Sequence, residues 1–186
     1  FERSYLCKVS QCNSEENAIN GFYHNFEIHT SWMIDNNYGR LNGTPDPLAP
    51  TFYTGAGFRS DFNVYSAYVA NASDENRYGY HILGNRGVSF VSNGAEFNSR
   101  AGFLFQSSSS YEINWVTGMG NTCGGNNKQD TGYANHTHLI AANSITNFVV
   151  QKQPISFATD IASTYDFIAT GQGSKLVLED PLMYNS

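Results

Sequence analysis

His136 and His138 stand two apart in the stretch Gly132-Tyr133-Ala134-Asn135-His136-Thr137-His138. On a strand, side chains at i and i+2 leave the same side, so both imidazoles face one way. Two imidazoles fill only part of a metal's shell. Three copies of such a strand meeting on a threefold axis would surround one point with six imidazole nitrogens, an octahedral site suited to iron, nickel, copper or zinc. A site of that kind exists only in the assembled trimer, so metal binding and chain association would support each other. The plainer reading of the same residues is two solvated histidines in a polar loop.

A second chemistry is sugar contact. Trp32, Tyr38, Trp115 and Tyr133 are candidates for holding a glycan on flat rings with Asn and Asp nearby; burial in a core is the competing role for the same rings. Hydrolysis would need paired carboxylates or an activated nucleophile. Glu27, Asp35, Asp61, Glu96, Glu112 and Asp166 fall at no spacing that compels a shared site. No catalytic residue is assigned, and the chain reads as a protein that is not an enzyme. His24 and His81 sit beside aromatic residues and read as packed or half-exposed.

The elements that must position these residues follow from composition. Of 186 residues, 14% are charged and 15% aromatic, with 12 Tyr, 13 Phe and a formal net charge of -6. Nucleic acid is disfavoured, because phosphates need clustered Lys and Arg. Strand and turn formers outweigh helix formers, which gives an all-β expectation. No apolar run approaches the roughly 18 residues of a membrane span. With 3 cysteines, a Cys7–Cys12 bridge would leave one thiol over, and free cysteines packed as small apolar groups are expected. Asn42, Asn71 and Asn135 head Asn-x-Ser/Thr sequons, a number that chance alone supplies in so Asn-rich a chain.

In order, residues 1–20 read as a polar arm, and period-two alternation begins at Phe22. Asp35 through Gly39 has turn chemistry, and the prolines of 42–50 exclude a central strand. Gly57-Phe58, Gly79-Tyr80 and Gly102-Phe103 then recur at about 22 and 23 residues, with Tyr68, Phe90 and Ile113 each about 11 further on. Fixed-period similarity means repeated supersecondary units, here expected to be short β-hairpins that gain stability by stacking. Residues 117–131 read as a flexible Gly/Asn-rich link, and the last apolar strand as Leu176 to Leu178. Three segments result: 1–50, an arm and first strands; 51–116, a shaft of Gly-aromatic units; and 117–186, the region holding His-x-His.

Asn135-His136-Thr137-His138 resembles the His-x-His motifs at the tips of phage long tail fibres, and Gly79-Tyr80-His81-Ile82 and Gly102-Phe103-Leu104-Phe105 are similar to the Gly-aromatic repeats of fibre shafts. The likeness covers roughly residues 57–140. This chain has a single His-x-His where the family tip carries several, and Ala134 stands where the family has Gly. The resemblance implies an elongated, intertwined homotrimeric fibre and axial iron or another transition metal. It also implies a place on the virion surface among other virion proteins, and attachment to a host-surface glycan or outer-membrane receptor. Two alternatives stand beside it: a secreted monomeric β-sandwich carbohydrate-binding module, with occupied sequons, and a glycan-degrading enzyme.

Overall fold

The computed structural model describes residues 6–25, 31–46, 49–53, 55–106, 113–124 and 126. Beyond these it describes the strands at 137–142, 146–151, 154–156, 167–169, 175–179 and 182–184. Among these residues every regular element is a strand.

The chain winds through the same three directions again and again. One pass lays down β1 (Lys8–Ser10), β2 (Asn13–Glu15) and β3 (Phe22–Asn25). The next gives β4 (Met33–Asp35), β5 (Tyr38–Arg40), a side hairpin of β6 (Pro45–Asp46) and β7 (Ala49–Tyr53), and then β8 (Ala56–Asp61). Two further passes give β9 (Ala67–Val69), β10 (Ala72–Asp74) and β11 (Tyr78–Leu83), then β12 (Ser89–Val91), β13 (Gly94–Glu96) and β14 (Ala101–Gln106). After them come β15 (Ile113–Met119), β16 (Thr122–Gly124) and β17 (Thr137–Ala142), and β18 (Thr146–Gln151), β19 (Pro154–Ser156) and β20 (Phe167–Ala169); β21 (Lys175–Glu179) and β22 (Leu182–Tyr184) come last.

Strands from successive passes pair in parallel. They build a seven-stranded sheet β1-β4-β9-β12-β15-β18-β21, a six-stranded sheet β20-β17-β14-β11-β8-β3 and a five-stranded sheet β16-β13-β10-β5-β2. The product is a parallel β-solenoid. The expected hairpins are not the repeat: each unit is one coil of three strands, and β6 with β7 is the antiparallel pair among the described strands. Parallel neighbours one coil apart and hairpins one unit apart give the same period in sequence, which is why the period was legible and the pairing was not.

The Gly-aromatic pairs are one register position. Phe58, Tyr80 and Phe103 are cross-strand partners, preceded by Phe22. Their rings stack at 4.8, 4.9 and 4.6 Å inside the coil. Tyr68 on Phe90 forms a second column at 4.8 Å. Edge-on contacts of 6.2 to 6.5 Å join the columns. Each such pair adds about 0.5–1.5 kcal/mol beyond area burial. The glycine is steric: a Cβ on Gly79 would lie 2.6 Å from the Gly102 carbonyl oxygen and 2.9 Å from the Ala95 Cβ. Tyr68 and Phe90 are partners as their offset predicts, but Phe90 pairs with Gly118, not Ile113. Six extra residues before β15 displace the register, and Ile113 is buried at the start of that strand.

Three further expectations change. The described part of the N-terminal arm already contains two strands, β1 and β2. Of the first residues of the supposed flexible link, 117–119 belong to β15 and 122–124 to β16, with Gly120-Asn121 as the corner between them. Cys7 and Cys12 form no disulfide, and Cys12 is exposed rather than packed, its thiol 3.3 Å from the Ser10 carbonyl oxygen.

Asparagines at the corners tie the coils together. Between the seven- and five-stranded sheets, the Oδ1 of Asn37, Asn71, Asn93 and Asn121 accepts from the backbone N–H of Cys12, Asn37, Asn71 and Asn93, at 2.9 to 3.1 Å. Each Nδ2 donates to a carbonyl of the previous coil: Val9, Ile34, Tyr68 and Phe90. A second ladder, Asn17-Asn42-Asn76-Asn98-Asn126, follows the five-stranded sheet. Asn63 and Asn85 start a third, after the six-stranded sheet.

Candidate functional site

With Phe22, Phe58, Tyr80 and Phe103 turned inward, strand alternation turns the next residue of each strand outward. Register then aligns Tyr23, Arg59, His81 and Leu104 across β3, β8, β11 and β14. Two residues further on, Asp61, Leu83 and Gln106 form a parallel row.

The two rows are joined by side-chain bonds. Arg59 Nε donates to Asp61 Oδ1 at 2.6 Å, and Tyr23 Oη donates to Asp61 Oδ2 at 3.0 Å. Arg59 Nη1 lies 2.5 Å from His81 Nδ1. A guanidinium can only donate, so His81 Nδ1 accepts and Nε2 carries the proton, which it gives to Gln106 Oε1 at 3.0 Å. Burial, and after it the Arg59 charge, holds the His81 pKa down to about 4, so the ring is neutral at physiological pH. Burial and the neighbouring Asp61 carboxylate push the Tyr23 hydroxyl above its ordinary value. Tyr78 packs against His81 with ring centroids 5.2 Å apart, and the Arg77 guanidinium lies 5.6 Å over the Tyr78 ring.

The strip runs from this network into a cavity of about 430 Å³ at the first coil, where Tyr23 and Arg59 meet Phe22, His24, Trp32 and Tyr68. Charge on the five-stranded sheet is of the other sign. Glu15, Asp74 and Glu96 share its outer row with Arg40 alone as cation. Burial and then Glu75 and Glu96 raise the Asp74 pKa.

The residues singled out from sequence fall elsewhere. Trp32 is 6% exposed, its ring 4.2 Å from that of His24, so its indole packs and faces the cavity rather than open solvent. Tyr38 is half-buried and donates to Asp74 Oδ2 at 3.3 Å. Trp115 lies in β15, with only its backbone described. Tyr133 and His136 lie outside the described residues. His138 is in β17, where Ala101↔Thr137 and Phe103↔Leu139 place it opposite Gly102. Among the described residues no group of three or more His, Cys, Asp or Glu could hold a metal ion, and no helix is long and apolar enough to cross a membrane. His24 and His81 are packed and half-exposed respectively, as their aromatic neighbours suggest. The strip itself was missed, although part of the signal for it was present: polar residues one place after the aromatics of two of the three Gly-aromatic pairs, at Arg59 and His81.

Comparison of the chain with known protein families, curated proteins and solved structures finds no match.

Proposed function

We propose that this chain is an adhesive structural protein, a rigid solenoid segment of a trimeric viral (phage) fibre that holds a host-surface glycan along its six-stranded sheet. The observation that carries the reading is the strip Tyr23-Arg59-His81-Gln106 with its adjoining cavity. It offers polar donors and acceptors, with Arg59 charge-paired to Asp61, and flat rings, fixed to strands at about 4.8 Å intervals, and an extended polymer can follow such a face. Arg59, Asp61 and His81 satisfy one another, so the reading is adhesion rather than turnover.

Association of copies is supported by the seven-stranded sheet. Its outer face carries Met33, Val69, Val91 and Met119, with Met33 45% and Met119 48% exposed. Among the described side chains the charged pair there, Lys8 with Asp35, lies at the first strands, and the row continues past Met119 to Gln151 and Glu179. The buried sequons weigh against a glycosylated secreted module. Asn42 and Asn71 are 0% and 1% exposed, and both use their Nδ2 in the corner ladders.

The test is binding of the purified chain to a panel of bacterial surface polysaccharides, neutral and acidic, with native mass measured alongside. Trimers that bind, with Tyr23→Ala weakening binding at least tenfold and leaving the circular dichroism unchanged, are expected. A monomer that binds no polysaccharide overturns the reading.

A further inference from the structure

Glycan adhesion leaves the class of sugar open, and two arginines at the edge of the strip supply one; the sugar class rests on the adhesion reading. Arg77 and Arg100 directly precede β11 and β14 and are equivalent residues of adjacent coils: Tyr78 pairs with Ala101, and the Arg100 amide donates to the Arg77 carbonyl at 2.9 Å. Their backbones are therefore one strand spacing apart, about 4.8 Å. Both side chains are half-buried and anchored on one ring. Arg77 lies over the face of Tyr78, and Arg100 Nη1 is 3.4 Å from the Tyr78 hydroxyl.

Among the described residues the ion pairs are Lys8–Asp35, Arg40–Glu75 and Arg59–Asp61. Arg77 and Arg100 are in none of them. Among the described residues, Arg59, Arg77 and Arg100 stand against Asp61 on this face, two positive charges in excess, on a chain of net charge -6. Glu15, Asp74 and Glu96 lie instead on the five-stranded sheet. A chain poor in cations has placed two of them side by side, braced against an aromatic ring and with no ion-paired carboxylate among the described residues.

We infer that the strip binds an acidic polysaccharide whose sugars carry carboxylates, with Arg77 and Arg100 as the carboxylate-binding pair and Tyr78 as the ring surface between them. A guanidinium presents two parallel N–H donors that match the two oxygens of a carboxylate. Successive acidic sugars running across the strands would meet one arginine each.

The experiment measures binding of the full chain to a polyuronate, to the same polymer after chemical reduction of its carboxyl groups, and to a sulfated neutral polymer. Binding to the polyuronate, lost on carboxyl reduction and falling with added salt, is expected. Arg77→Gln with Arg100→Gln should weaken it at least tenfold. The double Lys variant, which keeps charge without the paired donors, should fall between. Unchanged circular dichroism and unfolding midpoint show that the variants fold. Equal binding to the carboxyl-reduced polymer, with the Gln variant unaffected, overturns the acidic assignment and leaves glycan adhesion standing. Equal binding to the sulfated polymer overturns the carboxylate assignment. Binding to none of the three, nor to the wider panel, overturns adhesion itself.

Discussion

Two corners of the same coil behave differently. Between the seven- and five-stranded sheets the connection has two residues in every described coil: Gln11-Cys12, Asn36-Asn37, Ala70-Asn71, Ser92-Asn93 and Gly120-Asn121. The first of each pair has positive φ, between 53° and 62°, and the second joins the ladder. After the six-stranded sheet the Asn63–Asn85 ladder is short, and the connection lengthens before β15. Insertions also follow the second ladder, where β6 and β7 branch off after Asn42. Length varies where no ladder passes, or directly after a ladder residue has been set. The six-stranded sheet lies between the two variable corners and carries the polar strip. One side of the solenoid holds the coils in register, which leaves the other side free to differ in sequence and loop length.

The largest expected effect comes from breaking the constant corner. Asn93 accepts from the N–H and Nδ2 of Asn71 and donates Nδ2 to the Tyr68 carbonyl and to Asn121 Oδ1. Asn93→Asp turns a buried donor into a carboxylate facing two acceptors. A loss of about 3–5 kcal/mol is expected, the range for an uncompensated buried charge. At the variable corner, Asn85 Nδ2 donates to Ser60 Oγ at 2.7 Å, and a hydroxyl can reverse and donate to a carboxylate. Asn85→Asp should therefore cost less, by about 2 kcal/mol. Urea unfolding of both variants checks this, and equal losses would remove the distinction between the corners.

The ladders also show how much was legible. The Asn clusters at 36–37, 71–76 and 92–93 read as turns; 36–37 and 92–93 are corners, whereas 71–76 holds strand β10 between the corner residues Asn71 and Asn76. Their intervals went unused: 34, 22 and 28 residues separate Asn37, Asn71, Asn93 and Asn121. The same intervals separate Asn42, Asn76, Asn98 and Asn126. Two residue series shifted by identical steps mark coils of changing length, whereas a fixed step breaks at Ile113, where Phe90 pairs with Gly118 instead. Three-residue strands such as β9 and β12 are too short for alternation to reveal which way they pair. Residue type and nearby Asn and Asp make Trp32 a candidate sugar platform, and neither shows that its indole packs on His24. Arg59, His81 and Gln106 are distant in sequence and become neighbours only through register.

A second prediction concerns the strip. Folded His81 titrates near pH 4, while an unperturbed histidine titrates near 6.5. As pH falls, the unfolded chain takes up the proton first, so the native state loses stability from about pH 6.5 down to about pH 4. The loss approaches 3 kcal/mol, to order of magnitude, over that window. His81→Gln can still accept from Arg59 and donate to Gln106, and it has no proton to gain. Its stability should stay flatter over the same window, as read by denaturant midpoints at pH 7, 5.5 and 4.5. A slope equal to that of the native protein would mean that His81 is not held neutral by burial and Arg59.

The smallest effect tests what the constant corner costs. Ala70 has φ 53°, where a Cβ is disfavoured by roughly 1–2 kcal/mol. The equivalent position two coils later is Gly120, so the corner accepts glycine. Ala70 is exposed, and Ala70→Gly removes the Cβ without opening a cavity. Against this, glycine has more freedom to lose on folding, about 0.5–1 kcal/mol. A net gain of at most about 1 kcal/mol is expected, seen as a small rise in unfolding midpoint with unchanged slope. A loss instead would mean that the Ala70 methyl contributes packing, and that the ladder bonds of Asn71 do not have to offset backbone strain at this corner.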